Sequence, residues 1–190
     1  VDDNAPKNNV IDAEVTSLTI SGSDYTPSVT APAGNRIITR MDYVSSTVTQ
    51  NTNDVAVGLS NTYIVGFEVV TANSGAALTL SSVNLNTNGS SNPTADFENA
   101  EIYYTGNSNT FATSTKFGNT VAAPDGSFSI NGTQALTAGT NYFWVVVDIK
   151  LDATEDNLVD FEVTGFTLDG VTYTPSITAP VGNRRINGIN

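Results

Sequence analysis

The chain has 190 residues, 39% of them hydrophobic, with 19 acidic side chains against 7 basic ones and a formal net charge of −12. That balance repels a nucleic-acid backbone and an anionic bilayer but not a divalent cation. With no Cys and no His there is no disulfide, no thiolate or imidazole metal ligand and no Ser-His-Asp or Cys-His arrangement, and no run of 18 apolar residues offers a membrane-spanning helix.

The abundance of Thr, Ser, Asn and Val, with few Lys and no Leu-rich or Ala-rich runs, favours strands throughout, so the expected class is all-β with one sizeable core. At the start, residues 1–9 show neither a basic n-region nor an apolar h-region, and no signal peptide is read there. The first long segment, NVIDAEVTSLTISGSDYTPSVTAPAGNRII at Asn9–Ile38, returns as NLVDFEVTGFTLDGVTYTPSITAPVGNRRI at Asn157–Ile186. The offset is 148 positions, with no gap and 18 of 30 residues identical. This is an internal duplication.

Both copies have the same grammar. Ile11, Ala13 and Val15 alternate on one parity and Leu18 and Ile20 on the other, as do Val159, Phe161 and Val163 against Phe166 and Leu168. A parity switch of this kind predicts a bulge near Thr16–Ser17 and Thr164–Gly165. Tyr-Thr-Pro and Ala-Pro-x-Gly-Asn-Arg then predict an edge strand running into a stiff connector, because each proline lacks a ladder donor. Arg36 and Arg184, each after Gly-Asn, are expected to bond local carboxylates or carbonyls there. Asp12, Glu14, Asp160 and Glu162 fall on the outward parity, where charge protects an edge.

Between the copies, strands are predicted around Met41–Val48, Asn61–Thr71, Ala77–Leu85, Phe97–Thr105, Ser127–Ile130 and Asn141–Leu151. Asn88-Gly89, Asp125-Gly126 and Asn131-Gly132 read as hairpin turns. NYFWVVVDIKL at Asn141–Leu151 is the most hydrophobic stretch and is expected to be a central strand, with Phe143, Val145, Val147, Ile149 and Leu151 on one face and Tyr142, Trp144 and Val146 on the other. Roughly nine strands at sandwich-like spacing predict an immunoglobulin-like or jelly-roll β-sandwich that is one unit of a tandem repeat. Residues 1–40 then hold the last strands of a preceding repeat plus a linker, and 41–190 one complete repeat ending in the duplicated tail.

Three groups of side chains invite a chemical reading. Asp148, Asp152, Glu155 and Asp156 crowd the end of the central strand, and such hard oxygens are what calcium requires, although no EF-hand spacing is present; Asp2 and Asp3 hold the matching place in the first copy. Trp144, Tyr103, Tyr104 and Phe111 would make a sugar-stacking platform if exposed together, against the alternative of core packing. Lys116 and Lys150 are candidates for an intramolecular isopeptide bond.

The segments YYTGNSNTF at Tyr103–Phe111, FGNTV at Phe117–Val121 and GTNYFW at Gly139–Trp144, with the acidic turn before Asn157, resemble the β-rich module that precedes BNR-repeat sialidases and recurs in large surface proteins of Bacteroidetes. The resemblance runs from about Tyr43 to Ile186. It implies a module without chemistry of its own, exported by the type IX route to the cell surface or beyond and used as a spacer, adhesin stalk or accessory domain.

The expected function is therefore a non-catalytic structural repeat of an extracellular filament or adhesin stalk, its partners being identical units or neighbouring repeats joined by strand pairing. Val10, Ile11, Val15, Leu18, Ile20 and Tyr25 are the expected inter-unit contacts, because strands separated from their own sheet are edges that seek a partner. The alternative is a carbohydrate-binding accessory module of a secreted glycan-active protein, with surface glycans as partners.

Overall fold

The computed structural model describes residues 5–188. Sixteen strands and one short helix occur in them: β1 Val10–Ile11, β2 Leu18–Ile20, β3 Ser23–Tyr25, β4 Arg36–Ile37, β5 Asp42–Gln50, β6 Val55–Ala56, β7 Thr62–Ala72, β8 Thr79–Asn86, α1 Pro93–Asp96, β9 Phe97–Tyr104, β10 Lys116–Ala122, β11 Ser127–Ala135, β12 Gly139–Ile149, β13 Leu158–Val159, β14 Glu162–Leu168, β15 Val171–Tyr173 and β16 Arg184–Asn187. The chain forms two units: residues up to Arg40 together with the turn Ser74–Ala76, and Met41–Asn73 together with the chain from Ala77 onward.

The larger unit is an all-β sandwich. One layer is a five-stranded sheet in the order β10-β9-β12-β7-β5, the other a four-stranded sheet in the order β11-β8-β14-β15, and a small three-stranded sheet β13-β16-β6 closes one end. Every pairing is antiparallel except that of β16 with β6. As expected, β12 is central, flanked by β9 and β7. Its odd residues Phe143, Val145, Val147 and Ile149 enter the core between the layers, where they meet Phe67, Ile102, Phe117 and Phe166. Leu151 departs from that pattern and is 71% exposed. The strand ends at Ile149, and the chain turns where the Lys150 N–H donates to the Asp96 carbonyl.

The second copy of the duplication is woven into this sandwich. Its parity switch is a bulge between Val163 and Gly165, which lets Val163, Phe166 and Leu168 all reach the core from β14. After the bulge, Asp169-Gly170 makes a two-residue hairpin with φ of 45° and 79°, the positive pair that matches strand twist. β15 is the edge strand, as its following proline requires.

Two other expected hairpin turns serve different connections. Asp125-Gly126 joins β10 of one layer to β11 of the other, so it is a crossover between sheets and not a hairpin. Asn131-Gly132 lies inside β11 at a register shift. There a Cβ on Gly132 would stand 2.7 Å from the Gly118 backbone nitrogen, so this glycine serves a close crossing of β11 with β10.

The two copies of the duplication share one backbone path but not one environment. Val10 pairs with Ile37 and Ile11 with Arg36, as Leu158 pairs with Arg185 and Val159 with Arg184; Leu18 faces Tyr25 as Phe166 faces Tyr173. Ser21 and Gly22 repeat the positive φ pair at 50° and 83°. Yet Phe166 and Val163 are fully buried, whereas Leu18 is 48% and Val15 49% exposed. Phe166→Ala should therefore lower unfolding stability by about 3–5 kcal/mol, and Leu18→Ala by less than about 0.5 kcal/mol, in urea titrations followed by the fluorescence of the single tryptophan, Trp144.

Candidate functional site

The outer face of the five-stranded sheet carries the densest group of functional side chains. Even residues of β12 point there, and Trp144 meets the Tyr63 ring edge-on at 5.1 Å and the Phe111 ring at 5.9 Å. Phe111 comes from the β9–β10 connection and also lies 5.1 Å from Tyr63. The indole N–H donates to Thr105 Oγ1 at 2.9 Å, which fixes the ring, and Trp144 is only 8% exposed. The rings thus spend their faces and edges on one another. Tyr104 is on the opposite face of β9, inside the core, with its hydroxyl donating to Asn141 Oδ1 at 2.7 Å. The four aromatics named from the sequence are therefore divided between two faces.

Beside this cluster, Glu101 accepts hydrogen bonds from Lys116 Nζ and Thr120 Oγ1 on one oxygen and from Tyr103 Oη on the other. Burial pushes the Glu101 carboxyl up, but bonds from Lys116, Tyr103 and Thr120 outweigh it and hold the group below its ordinary range. Burial, and then the bond to Glu101, push the Tyr103 phenol up to about 12. Lys116 is thereby engaged with Glu101 and Thr120, and Lys150 donates to the Thr94 carbonyl, so among the described residues neither isopeptide candidate bonds an Asn or Asp side chain. A cleft of about 60 Å³ between Thr49, Glu68, Asn109 and Tyr142 opens on the same face. That is far below the ~300–1,000 Å³ of small-molecule sites.

The four acidic residues proposed for calcium are spread apart. Asp148 accepts from the Asn61 N–H at 2.7 Å and from Asn99 Nδ2 at 2.8 Å, while Asp156 is paired with Arg185. Asp152 and Glu155 are exposed. Among the described residues no group of three or more metal-ligating side chains forms; Asp2 and Asp3 lie outside the described residues. The acidic turn is organised from within by a residue that sequence reading missed: fully buried Asp96 at the end of α1. Its Oδ1 accepts from the Thr154 N–H at 2.9 Å and its Oδ2 from Asn157 Nδ2 at 2.8 Å. No pattern around Asn92-Pro93 signals that role.

Arg184 takes the carbonyl option expected of the Gly-Asn-Arg motif. Its Nε donates to the Asn53 carbonyl at 2.6 Å, Nη1 to that of Tyr63 at 2.7 Å and Nη2 to that of Asp54 at 3.0 Å. Burial lowers its pKa, and nearby Tyr63 and Asp54 oppose that shift. The fork therefore ties the tail to β7 and to the segment before β6, more than a hundred residues upstream. Arg36, its counterpart, is exposed in β4. Exposed likewise are all six predicted inter-unit contacts: Val10, Ile11, Val15, Leu18, Ile20 and Tyr25.

Of the carboxylates assigned outward by parity, Asp160 is half-buried, and burial, with Glu162 adding repulsion, pushes it from an ordinary 3.8 up to about 6 against the opposing bond from the Phe161 N–H. Because the folded state holds this proton more tightly than the unfolded chain, the group makes stability fall as pH rises from about 4 to about 6. Asp160→Asn should remove that component, so its stability relative to the unmodified chain should rise across this interval and level off above it. Urea midpoints measured at half-unit pH steps check this; parallel curves would count against it.

The profile of the family described as the N-terminal domain of BNR-repeat neuraminidase matches residues 44–172. Among solved structures, a sialidase titled Hadza microbial sialidase Hz136 aligns with a TM-score of 0.59 and 13% identity, over 74% of this chain and 31% of that one. This chain thus corresponds to less than a third of that protein's length, and the likeness at this identity concerns the fold. No curated protein sequence matches. With the family profile covering well over half of the residues, the chain belongs to the family of N-terminal domains of BNR-repeat neuraminidases.

Proposed function

We propose that this chain is a non-catalytic structural module of a secreted, glycan-active protein, one of a series of β-sandwich units joined by strand pairing. The observation that carries this reading is the contrast between the two copies: 157–186 supplies core and sheet to its own sandwich, while 9–38 presents the matching apolar residues to solvent. Isolated apolar edges of this kind are a liability unless another unit covers them. Membership of the neuraminidase-associated family supports the glycan-active setting and an extracellular location, and among the described residues no helix is long and apolar enough to cross a membrane. The role of such a unit is to set spacing and orientation for the domains it connects.

A second reading, sugar binding, draws support from the same family and from Tyr63, Phe111 and Tyr142, which are half-buried on the outer face of the five-stranded sheet. Against it stand the mutual edge packing of the rings and the small cleft beside them. A glycan array spanning sialylated and neutral glycans, together with turnover of a fluorogenic sialoside, separates the two. The structural reading expects no hydrolysis and no saturable binding tighter than about 1 mM; saturable binding abolished by Phe111→Ala would transfer the function to the aromatic face.

A further inference from the structure

The structural reading leaves open what covers residues 9–38, and the duplication answers it. We propose that this segment is the ready-formed closing tail of a second sandwich unit of the same family, and that it docks there as 157–186 docks here, with Arg36 as its anchor. The inference rests on the structural-module reading and specifies the partner.

The segment already has the docked shape. The Asn8 N–H donates to the Ile38 carbonyl at 2.9 Å, as the Asp156 N–H does to that of Ile186 at 2.9 Å; the Val15 N–H donates to the Thr30 carbonyl at 2.9 Å, as the Val163 N–H does to that of Thr178 at 3.0 Å. The backbone reaches φ of 68° at Asn8 and 67° at Asp156, and 107° at Gly34 and 115° at Gly182. Such left-handed positions fix the path of the chain. A preformed path lowers the ordering cost of association.

Within its own unit, among the described residues, the segment has only the two-stranded pairings β1-β4 and β2-β3. In the second copy, β14 pairs with β8 and β16 pairs in parallel with β6, while Arg184 fills a cage of three carbonyls. Transferred by 148 positions, β2 would lie against the β8 equivalent of another unit, Ile38 and Thr39, just after β4, against its β6 equivalent, and Arg36 in its carbonyl cage. Val15, Leu18 and Ile20 would take the places of Val163, Phe166 and Leu168.

The occupant is also distinguishable from an identical copy. Phe161, packed 5.6 Å from Phe97 and 6.0 Å from Phe128, is replaced by Ala13, and Phe166 by Leu18. In a sandwich shaped like this one the segment would leave a cavity, so the natural acceptor has more bulk opposite Ala13 and Leu18, and the chain's own tail wins its own slot.

A chain in which residues 41–156 are placed directly ahead of Asn9–Asn190 recreates the junction between Asp156 and Asn157 in both units. Carrying Ala13→Phe and Leu18→Phe to match this acceptor, it should show at least a hundredfold slower amide exchange at 18–25 than the same double variant of the unextended chain. Arg36→Ala in the extended chain should reverse most of that protection. The version without the two Phe substitutions should show weaker protection. If 18–25 exchange at the same rate in the extended and unextended double variants, or if Arg36→Ala changes nothing, the docking assignment is wrong. The unextended chain's sugar binding and hydrolysis are measured separately and bear on the structural reading alone.

Discussion

A β-strand with one apolar face is stable only when a second layer covers it, and in this protein the covering element comes from the last part of the repeat. β14 lies between β8 and β15, and Val163, Phe166 and Leu168 fill the space beneath β12 and β7. β16 supplies the hydrogen bonds that β6 and β13 need at the end of the sandwich. Arg184 then locks this closure through three backbone carbonyls, in a buried setting where charge-assisted bonds are strong. Closure of the tail onto the upstream strands is what makes the larger unit a complete sandwich.

The same requirement gives the first copy its significance. Its hairpin, the paired start and end of the segment, and its positive-φ turn positions are formed as in the second copy, so these features are properties of the local sequence. Local conformation is set by the Ser-Gly and Asp-Gly turns, the positive φ positions and the short two-residue pairings. Burial is set by what lies opposite. That separation lets one sequence pattern be buried as an internal closing element in one place and exposed in another.

Much of this was legible in the residues, for reasons that are local. The central position of β12 follows from the most hydrophobic stretch of the chain, with Phe143, Val145, Val147 and Ile149 on one face and Tyr142, Trp144 and Val146 on the other, and the bulge at Val163–Gly165 from a change of parity that only an extra residue accommodates. The edge position of β15 follows from Pro175. What was not legible depended on distant partners. β10 contains Gly118 and Asn119, poor strand formers, and exists because β9 offers it an edge. Gly132 looked like a turn residue because its reason, contact with Gly118, lies across the gap between sheets. Asp96 gives no sign of being the buried organiser of the acidic turn, and Trp144 and Tyr104 were grouped although they occupy opposite faces of the sheet.

The central claim is that 157–186 belongs to the cooperative core of this chain while its near-duplicate 9–38 does not, and native-state hydrogen exchange on the whole chain tests it most directly. The account predicts that the amides of Phe166 and Leu168 exchange only through global unfolding, while those of Leu18 and Ile20 exchange orders of magnitude faster. Equal protection of the two copies in the isolated monomer would contradict it.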